Sequence, residues 1–208
     1  MSLPFPSKIV CVGRNYAKHA AELGNDVPAE PLIFLKPPSS IVRQRDTIVI
    51  PTWAGRIDYE GEIGVIIGVE SRHVHAADAW AHVAGLAPLN DVTARDLQRS
   101  DGQWSRAKGF DTFCPIGSVT PIQDIDVDGL RVTTKVNGEV RQDAPVSDMV
   151  FSIPVLIEAI TRFMTLSPGD VIATGTPDGI GPLSDGDEVH VSVEGVGSVS
   201  NPVRLEAS

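Results

Sequence analysis

The sequence predicts an α+β fold that is mainly β, with few and short helices. Short apolar runs of strand length recur along the chain, and 16 prolines and 19 glycines separate them into brief elements. Helical segments are few and irregularly placed, so the regular β–α alternation of a doubly wound sheet is missing. The length of 208 residues suits a single domain over residues 1–208.

The first half of the chain alternates between predicted strands and short helices. A helix over residues 17–23 is expected to end at Gly24, because glycine readily adopts the left-handed conformation that follows a helix. A second helix is predicted over residues 76–84, and a third runs through Arg99 with Thr93 as its N-cap. The strands predicted here are 8–12, 31–36, 47–50, 56–69 and 86–90.

The second half contains the two clearest local signals. Residues 131–141 predict a hairpin around Asn137-Gly138, the dipeptide preferred in type I′ turns. A helix is predicted from an N-cap at Ser152 through Met164, with a proline in its first turn. Strands at 170–174 and 188–194 are predicted to close the chain.

Composition excludes several classes of partner. Seventeen basic against 27 acidic residues give a net charge of −10, which argues against nucleic acid or an anionic membrane as the main partner. No apolar run approaches the roughly 18 residues that a membrane span requires. Cys11 and Cys114 are the only cysteines and lack the clustering of a zinc site. The amino-terminal segment lacks the pattern of a secretory signal, so a cytoplasmic protein is expected.

The strand over residues 56–69 carries the most informative pattern. Alternate strand residues share a face, so Asp58, Glu60 and Glu62 point the same way. Carboxylates this close repel one another unless a positive charge lies between them, and hard oxygen ligands favour Mg²⁺ or Mn²⁺. The alternative is a solvated strand face that carries acidic residues.

Other polar residues could complete a site, although each also has an ordinary structural explanation. Asp91 at a strand end can supply a third carboxylate or serve as a turn residue. Lys108 can meet an anionic substrate or lie on the surface. Thr176 belongs to a glycine-rich turn over residues 174–181 that can present backbone N–H groups to a carboxylate. His19 and Glu22 are three residues apart on one helix face, as a water-activating pair or a surface contact requires.

Five motifs in their order along the chain resemble the fumarylacetoacetate hydrolase family, and in particular its short acylpyruvase and fumarylpyruvate hydrolase-like members. The motifs are Val-Gly-Arg-Asn-Tyr-Ala-Lys-His-Ala-Ala-Glu (12–22), Glu-Gly-Glu (60–62), Asn-Asp-Val-Thr-Ala-Arg-Asp-Leu-Gln (90–98), Ala-Lys-Gly-Phe-Asp (107–111) and Thr-Gly-Thr-Pro-Asp-Gly-Ile-Gly-Pro (174–182). The resemblance implies a layered mixed β-roll with few helices, and a homodimer.

The resemblance also implies roles for individual residues. Asp58 is expected to support the metal site rather than to be a fourth ligand. Separately from the resemblance, the segment from Gly24 to Glu30 follows the helix with His19 and Glu22, and it is expected to form part of a lid within residues 1–50. The implied metal ligands for Mg²⁺ or Mn²⁺ are Glu60, Glu62 and Asp91; the implied catalytic residues are His19, Glu22 and Lys108; the implied substrate-binding residues are Arg14, Arg95, Gln98 and Thr176.

The activity that the resemblance implies is metal-dependent cleavage of the carbon–carbon bond of a small acylpyruvate-type 2,4-dioxo acid. Two other reactions use the same kind of site, namely isomerisation of 2-hydroxyhepta-2,4-diene-1,7-dioate and decarboxylation of oxaloacetate. A metal-binding β module without catalytic activity is the alternative from another functional class.

Overall fold

A computed structural model describes residues 4–207, and strands dominate that part of the chain. The predicted fold class, mainly β with few short helices, is confirmed. The strands are β1 (Ile9–Gly13), β2 (Leu32–Lys36), β3 (Ile41–Val42), β4 (Ile48–Ile50), β5 (Ile57–Tyr59), β6 (Gly61–Ile67), β7 (Val83–Asn90), β8 (Thr93–Ala94), β9 (Cys114–Pro115), β10 (Thr120–Pro121), β11 (Arg131–Val136), β12 (Glu139–Pro145), β13 (Val171–Ala173), β14 (Gly181–Pro182), β15 (Glu188–Val193) and β16 (Gly197–Leu205).

The helices are short and lie between the strands. The α-helices are α1 (Ala17–Glu22), α2 (Arg95–Ser100), α3 (Ser105–Lys108) and α4 (Ile153–Thr161). Single 3₁₀ segments cover Pro38–Ser40, Ala76–His82, Ile122–Asp124 and Val146–Asp148. Within residues 4–207, no helix has both the length and the apolar character that crossing a membrane would require.

The strands form mixed sheets. The largest has the order β10-β7-β6-β13-β1-β2, in which β1 runs parallel to β13 and antiparallel to β2. A five-stranded sheet has the order β12-β11-β15-β16-β4, and smaller sheets join β14-β5-β8 and β3-β9.

The central strands of the largest sheet are buried on both faces. In β1, Val10 and Val12 belong to the main hydrophobic cluster, whereas Ile9 and Cys11 belong to a second cluster. Because alternate strand residues point to opposite faces, the two clusters cover the two sides of this sheet. This double burial explains why β1 and β13 are continuous apolar runs in the sequence.

The prediction of a single strand over residues 56–69 is wrong in one respect. The segment forms two strands, which are separated at Glu60. β5 belongs to the three-stranded sheet and β6 to the six-stranded sheet, so the chain changes sheets at this residue. The Glu60 N–H donates to the side-chain oxygen of Asn90 at 2.9 Å, and the Glu60 carbonyl accepts from the Asp91 N–H at 2.8 Å. The break therefore places an acidic side chain at a junction between sheets.

Two of the predicted helices need correction. The segment predicted as a helix over residues 76–84 is a 3₁₀ segment that ends at His82, after which β7 begins. Thr93 is not a helix cap, because it lies in β8 and its hydroxyl donates to the Asp91 carbonyl at 2.8 Å. Helix α2 starts two residues later, and Ala94 occupies the cap position.

The second half of the chain follows its prediction more closely. Ser152 takes the N-cap position of α4, but the helix ends at Thr161 rather than at Met164. Asn137 and Gly138 both adopt positive φ, +52° and +84°, as a type I′ turn requires. The nine-residue strand β16, which pairs with β15, was not predicted.

Candidate active site

A cavity of about 310 Å³ collects nearly all of the residues for which the motifs implied a role. Ten residues were implied as metal ligands, catalytic residues or substrate-binding residues, and the nine of them that line it are Arg14, His19, Glu60, Glu62, Asp91, Arg95, Gln98, Lys108 and Thr176. Residues that were not predicted also line it, namely Val12, Gly13, Leu23, Asn25, Phe34, Arg99 and Trp104. Glu22 does not line the cavity but contacts His19.

Three carboxylates meet in this cavity. Glu62 lies in β6, Glu60 directly precedes β6, and Asp91 directly follows β7, the antiparallel neighbour of β6. One oxygen from each carboxylate lies within 4.8 Å of the others, and all three side chains are buried. Asp91 is distant in sequence from Glu60 and Glu62, but the three converge because the ends of two paired strands meet.

Gly61 makes this arrangement possible because it has no side chain. A Cβ at this position would lie 1.9 Å from the Thr134 hydroxyl oxygen. The Gly61 N–H donates to the side-chain oxygen of Gln142 at 2.9 Å. β11 and β12 therefore approach the acidic strand closely, on the side opposite Glu60 and Glu62.

The electrostatics of the three carboxylates suit a divalent cation. Burial and the neighbouring Asp91 and Glu60 raise the pKa of the Glu62 carboxyl well above its usual range. Burial also opposes ionisation of Glu60, but Lys108 and Arg95 outweigh it and lower the pKa of that carboxyl. A doubly charged ion among the three would relieve the repulsion that raises the pKa of Glu62. The donor set, three carboxylates without cysteine or histidine, fits a hard ion.

Lys108 is buried at the end of α3 and faces the carboxylates. Its Nζ lies 2.6 Å from both Glu60 Oε2 and Asp91 Oδ2. Burial favours the neutral amine, but Asp91 and Glu60 outweigh it, so the pKa of Lys108 is raised. The two carboxylates therefore favour the ammonium form of Lys108, which donates a hydrogen bond to each of them.

Arg95 organises the polar residues beside the carboxylates. Its guanidinium donates to Asp58 Oδ2 at 2.9 Å, to Glu60 Oε1 and to Gln98 Oε1. Asp58 is held by Arg95 and Arg56 and is not one of the three converging carboxylates. Substrate contact by Arg95 and Gln98 stays a prediction.

His19 and Glu22 form a contact on α1 at the cavity wall. His19 Nδ1 lies 3.3 Å from Glu22 Oε2, and the imidazole is almost fully buried. The other Glu22 oxygen accepts the Gly179 N–H at 3.1 Å. The glutamate is thus held from the glycine-rich turn and in turn orients the imidazole, which leaves Nε2 free for proton transfer.

The glycine-rich turn supports the site with its backbone. The Gly175 N–H donates to Glu62 Oε2 at 2.8 Å. Gly175 has φ +94°, and a Cβ there would lie 2.7 Å from the Asn15 Cβ, so the turn requires glycine. The Thr176 hydroxyl donates to the Gly61 carbonyl at 2.9 Å and accepts from Gln142 at 2.7 Å. One backbone N–H of the turn thus contacts a carboxylate, that of Glu62, whereas the Thr176 hydroxyl contacts a backbone carbonyl instead of a carboxylate. Substrate contact by Thr176 stays a prediction.

Sequence reasoning missed two residues that surround the site. Gln142 joins β12 to Gly61 and Thr176, and Lys36 contacts Asp91 with a fully buried side chain. Gln142 lies in a strand of mostly exposed residues, and Lys36 ends an apolar strand. The local pattern gives no sign of either role, because both depend on residues distant in sequence.

A comparison with protein-family models decides the relationship that the motifs suggested. The model described as fumarylacetoacetate (FAA) hydrolase C-terminal matches residues 8–204. The chain belongs to the fumarylacetoacetate hydrolase family. The resemblance drawn from the five motifs is thereby confirmed.

Members of the fumarylacetoacetate hydrolase family with different activities are similar to this chain. Oxaloacetate tautomerase YisK of Bacillus subtilis is 41% identical, over 97% of this chain and 71% of that protein. The crystal structure of 5-carboxymethyl-2-hydroxymuconate delta-isomerase from Mycobacterium smegmatis is 45% identical with a TM-score of 0.91, and the match covers 98% of this chain and 81% of that one. The crystal structure of fumarylpyruvate hydrolase from Pseudomonas aeruginosa, in complex with Mn²⁺ and pyruvate, is 33% identical with a TM-score of 0.93. The match covers 99% of this chain and 92% of that one.

Proposed function

We propose that the chain is a divalent-metal-dependent hydrolase that cleaves the C3–C4 bond of acylpyruvate-type 2,4-dioxo acids, such as fumarylpyruvate, to pyruvate and a carboxylate. The observation that carries this proposal is the presence of an oriented imidazole, His19, in the same cavity as three converging carboxylates and Lys108. The complex of the Pseudomonas hydrolase with Mn²⁺ and pyruvate supports both the ion and the product.

Glu60, Glu62 and Asp91 would hold the ion, Mg²⁺ or Mn²⁺. When bound there, a divalent cation supplies Lewis acidity and a template for the carboxylate and 2-oxo oxygens of the substrate. The remaining chemistry belongs to the side chains of the chain itself.

His19 acts as the base that activates water. Glu22 holds Nδ1, so Nε2 takes a proton from water as the water oxygen bonds to C4 of the substrate. The new C4 alkoxide re-forms its carbonyl as the C3–C4 bond breaks, and the electron pair remains on the pyruvate fragment as its enolate. The proton held by His19 then passes to C3, which leaves pyruvate and the carboxylate.

Lys108 stabilises negative charge on oxygen in this sequence. Its Nζ lies at the edge of the carboxylate group, where substrate oxygens would gather. A fixed cation in a buried site stabilises a developing oxyanion more than the same cation in water would.

Tautomerisation or isomerisation of a small 2-oxo acid is the second candidate. It is favoured by sequence identity, since the tautomerase and the isomerase are 41% and 45% identical, against 33% for the hydrolase. These reactions need one base that moves a proton at carbon, and His19 can supply it without an attacking water. Decarboxylation of oxaloacetate uses the same enolate and is tested with them.

The deciding experiment incubates the Mn²⁺-loaded protein in H₂¹⁸O with fumarylpyruvate, oxaloacetate and 2-hydroxyhepta-2,4-diene-1,7-dioate. Hydrolysis predicts release of pyruvate from fumarylpyruvate, together with a carboxylate product that has gained one ¹⁸O atom. Decay of the enol absorbance of oxaloacetate, with no cleavage of fumarylpyruvate, would replace the first proposal with the second. Metal binding without conversion of any substrate would indicate the non-catalytic module.

The homodimer and the lid over Gly24–Glu30 stay predictions. Sedimentation analysis tests the homodimer, and hydrogen exchange of residues 24–30 with and without pyruvate tests the lid. Protection that increases when pyruvate binds is the result expected for a lid.

A further inference from the structure

Lys36 is a fully buried lysine that the proposed mechanism does not use. It lies at the end of β2, the edge strand of the six-stranded sheet, and its side chain is 0% exposed. It does not line the cavity. Burial of an ammonium is costly, so the contacts of Lys36 need an explanation.

The Lys36 ammonium donates hydrogen bonds to two backbone carbonyls and forms an ion pair with Asp91. Its Nζ lies 2.7 Å from Asp91 Oδ1, 3.2 Å from the Val92 carbonyl oxygen and 2.5 Å from the Lys108 carbonyl oxygen. The three acceptors come from the connection after β7 and from the end of α3. Lys36 thus joins a proposed metal ligand to the backbone of the proposed oxyanion-stabilising residue.

The other oxygen of Asp91 faces the site. Asp91 Oδ2 contacts Lys108 Nζ, while Oδ1 is held by Lys36 from behind. The carboxylate therefore lies between two ammonium groups, with an ion pair to Lys36 on one side and a hydrogen-bonded ion pair to Lys108 on the other. An acidic ligand held in this way presents one defined oxygen to the cavity.

A second residue of β2 supports the same arrangement. Phe34 lies two residues before Lys36, hence on the same face of the strand, and Lys108 Nζ lies 5.1 Å from the centre of its ring. The ring of Trp104 packs edge-on against Phe34 at 5.1 Å, and the Trp104 carbonyl accepts the Lys108 N–H at 2.9 Å. β2 and the start of α3 therefore enclose Lys108 on several sides.

We infer that Lys36 is a positioning residue that fixes Asp91 for cation binding and Lys108 for charge stabilisation. The inference rests on the proposed function, because it assigns Asp91 and Lys108 the roles given there. Residues that orient metal ligands typically change metal affinity or activity about 10- to 100-fold when they are replaced.

The test compares Lys36→Met with Lys8→Met, and measures Mn²⁺ affinity without substrate from the electron paramagnetic resonance signal of free Mn²⁺. Methionine keeps the approximate length of the side chain but removes the charge and all three donors. Lys8 is the matched control, because it also pairs with a fully buried carboxylate, that of Asp170, but lies outside the cavity. Melting temperatures of the metal-free proteins are recorded alongside.

The inference predicts that Lys36→Met raises the Kd for Mn²⁺ about 10- to 100-fold, whereas Lys8→Met changes it by less than about twofold. An unchanged or lower Kd in Lys36→Met would show that Lys36 only stabilises the fold. Should Lys36→Met fail to fold, Lys36→Gln, which keeps two donors, provides the same comparison. Failure of both to fold, while Lys8→Met folds, would also overturn the positioning role.

Failure of this inference can be distinguished from failure of the proposed function. A wild-type protein that binds Mn²⁺ but converts no 2-oxo acid would refute the proposed function, while the affinity comparison would still decide the role of Lys36. Normal hydrolysis with equal Mn²⁺ affinity in wild type and Lys36→Met would refute the inference alone.

Discussion

Two regions of the molecule bury carboxylates in opposite ways. Asp170, just before β13, accepts hydrogen bonds from the backbone N–H groups of Ser7, Lys8 and Ser167 and from the side chains of Ser7 and Lys8. Burial by itself would raise the pKa of the Asp170 carboxyl, but these donors outweigh it and the pKa is lowered. This carboxylate has all the partners it needs and anchors the start of β1 to β13.

Within the site, the carboxylate of Glu62 is less well compensated than that of Asp170, although Glu60 and Asp91 each contact two cationic side chains. Glu62 accepts one backbone N–H, and its pKa is raised by burial and by the neighbouring Asp91 and Glu60. The contrast shows what distinguishes a structural anchor from a binding site, since Asp170 has a full set of donors, whereas Glu62 forms no ion pair within residues 4–207. The proposed cation would supply the positive charge that Glu62 lacks.

The largest expected effect comes from removing one charge of the site by Glu62→Gln. We expect Mn²⁺ affinity to fall at least about 100-fold, because a ligand matters more than the residues that orient it, and turnover to be lost with it. The melting temperature of the metal-free protein should stay the same or rise, because a repulsive buried charge has gone. Titration calorimetry measures the Mn²⁺ affinity, and thermal unfolding measures the melting temperature. A lower melting temperature with unchanged affinity would contradict the comparison.

His19→Ala tests the proposed base independently of metal binding by the carboxylates. Turnover should fall about 10²- to 10⁴-fold, the usual contribution of a general base, while Mn²⁺ affinity stays within about twofold. Glu22→Gln should show a smaller loss in the same direction, since it weakens only the orientation of the imidazole. Kinetics on fumarylpyruvate combined with Mn²⁺ titration measures both, and full hydrolysis by His19→Ala would remove this base from the mechanism.

Asp170→Asn should lower the stability of the protein without changing its Mn²⁺ affinity, which is the reverse of the effect of Glu62→Gln. The amide loses the ion pair with Lys8 and part of the acceptor capacity, so the free energy of unfolding should fall by about 1–3 kcal/mol. Mn²⁺ affinity should not change, because Asp170 lies outside the cavity. Urea unfolding and Mn²⁺ titration provide the measurement. Loss of Mn²⁺ affinity without loss of stability would show that the anchor and the site are not separate.

The smallest expected effect is the pH dependence of the stability difference between wild type and Asp170→Asn. The folded-state pKa of Asp170 is lowered, so its contribution is present above the unfolded-state pKa of about 4 and is lost as the pH falls through the folded-state value. The gap between wild type and Asp170→Asn should therefore be constant from pH 7 to about 5 and narrow below about 4. Unfolding curves recorded at several pH values test this, and a gap that widens in acid would contradict the assignment.

The fold class and most strands could be predicted because they depend on local patterns. The double burial of β1 produces a continuous apolar run, and the Asn137-Gly138 turn has its own signature. The break at Glu60 could not be predicted, because it depends on Asn90 and Asp91 in a neighbouring strand.

The site residues that could be predicted are likewise those marked by a local pattern or motif. Alternation on the strand indicated Glu60 and Glu62, whereas the roles of Asp91 and Lys108 were implied by the family motifs. Lys36 follows an apolar run like any residue at the end of a strand, and its acceptors lie 56 and 72 residues further along the chain. Burial of a charged group by such distant contacts leaves no local pattern in the sequence.

The most direct test of the account is a crystal structure of the protein with Mn²⁺, recorded with anomalous scattering. We predict one strong peak in the cavity, about 2.0–2.2 Å from an oxygen of each of Glu60, Glu62 and Asp91, with Lys108 Nζ displaced from between Glu60 and Asp91. A peak elsewhere, or none at saturating Mn²⁺, would contradict the claim that these three carboxylates form a metal site.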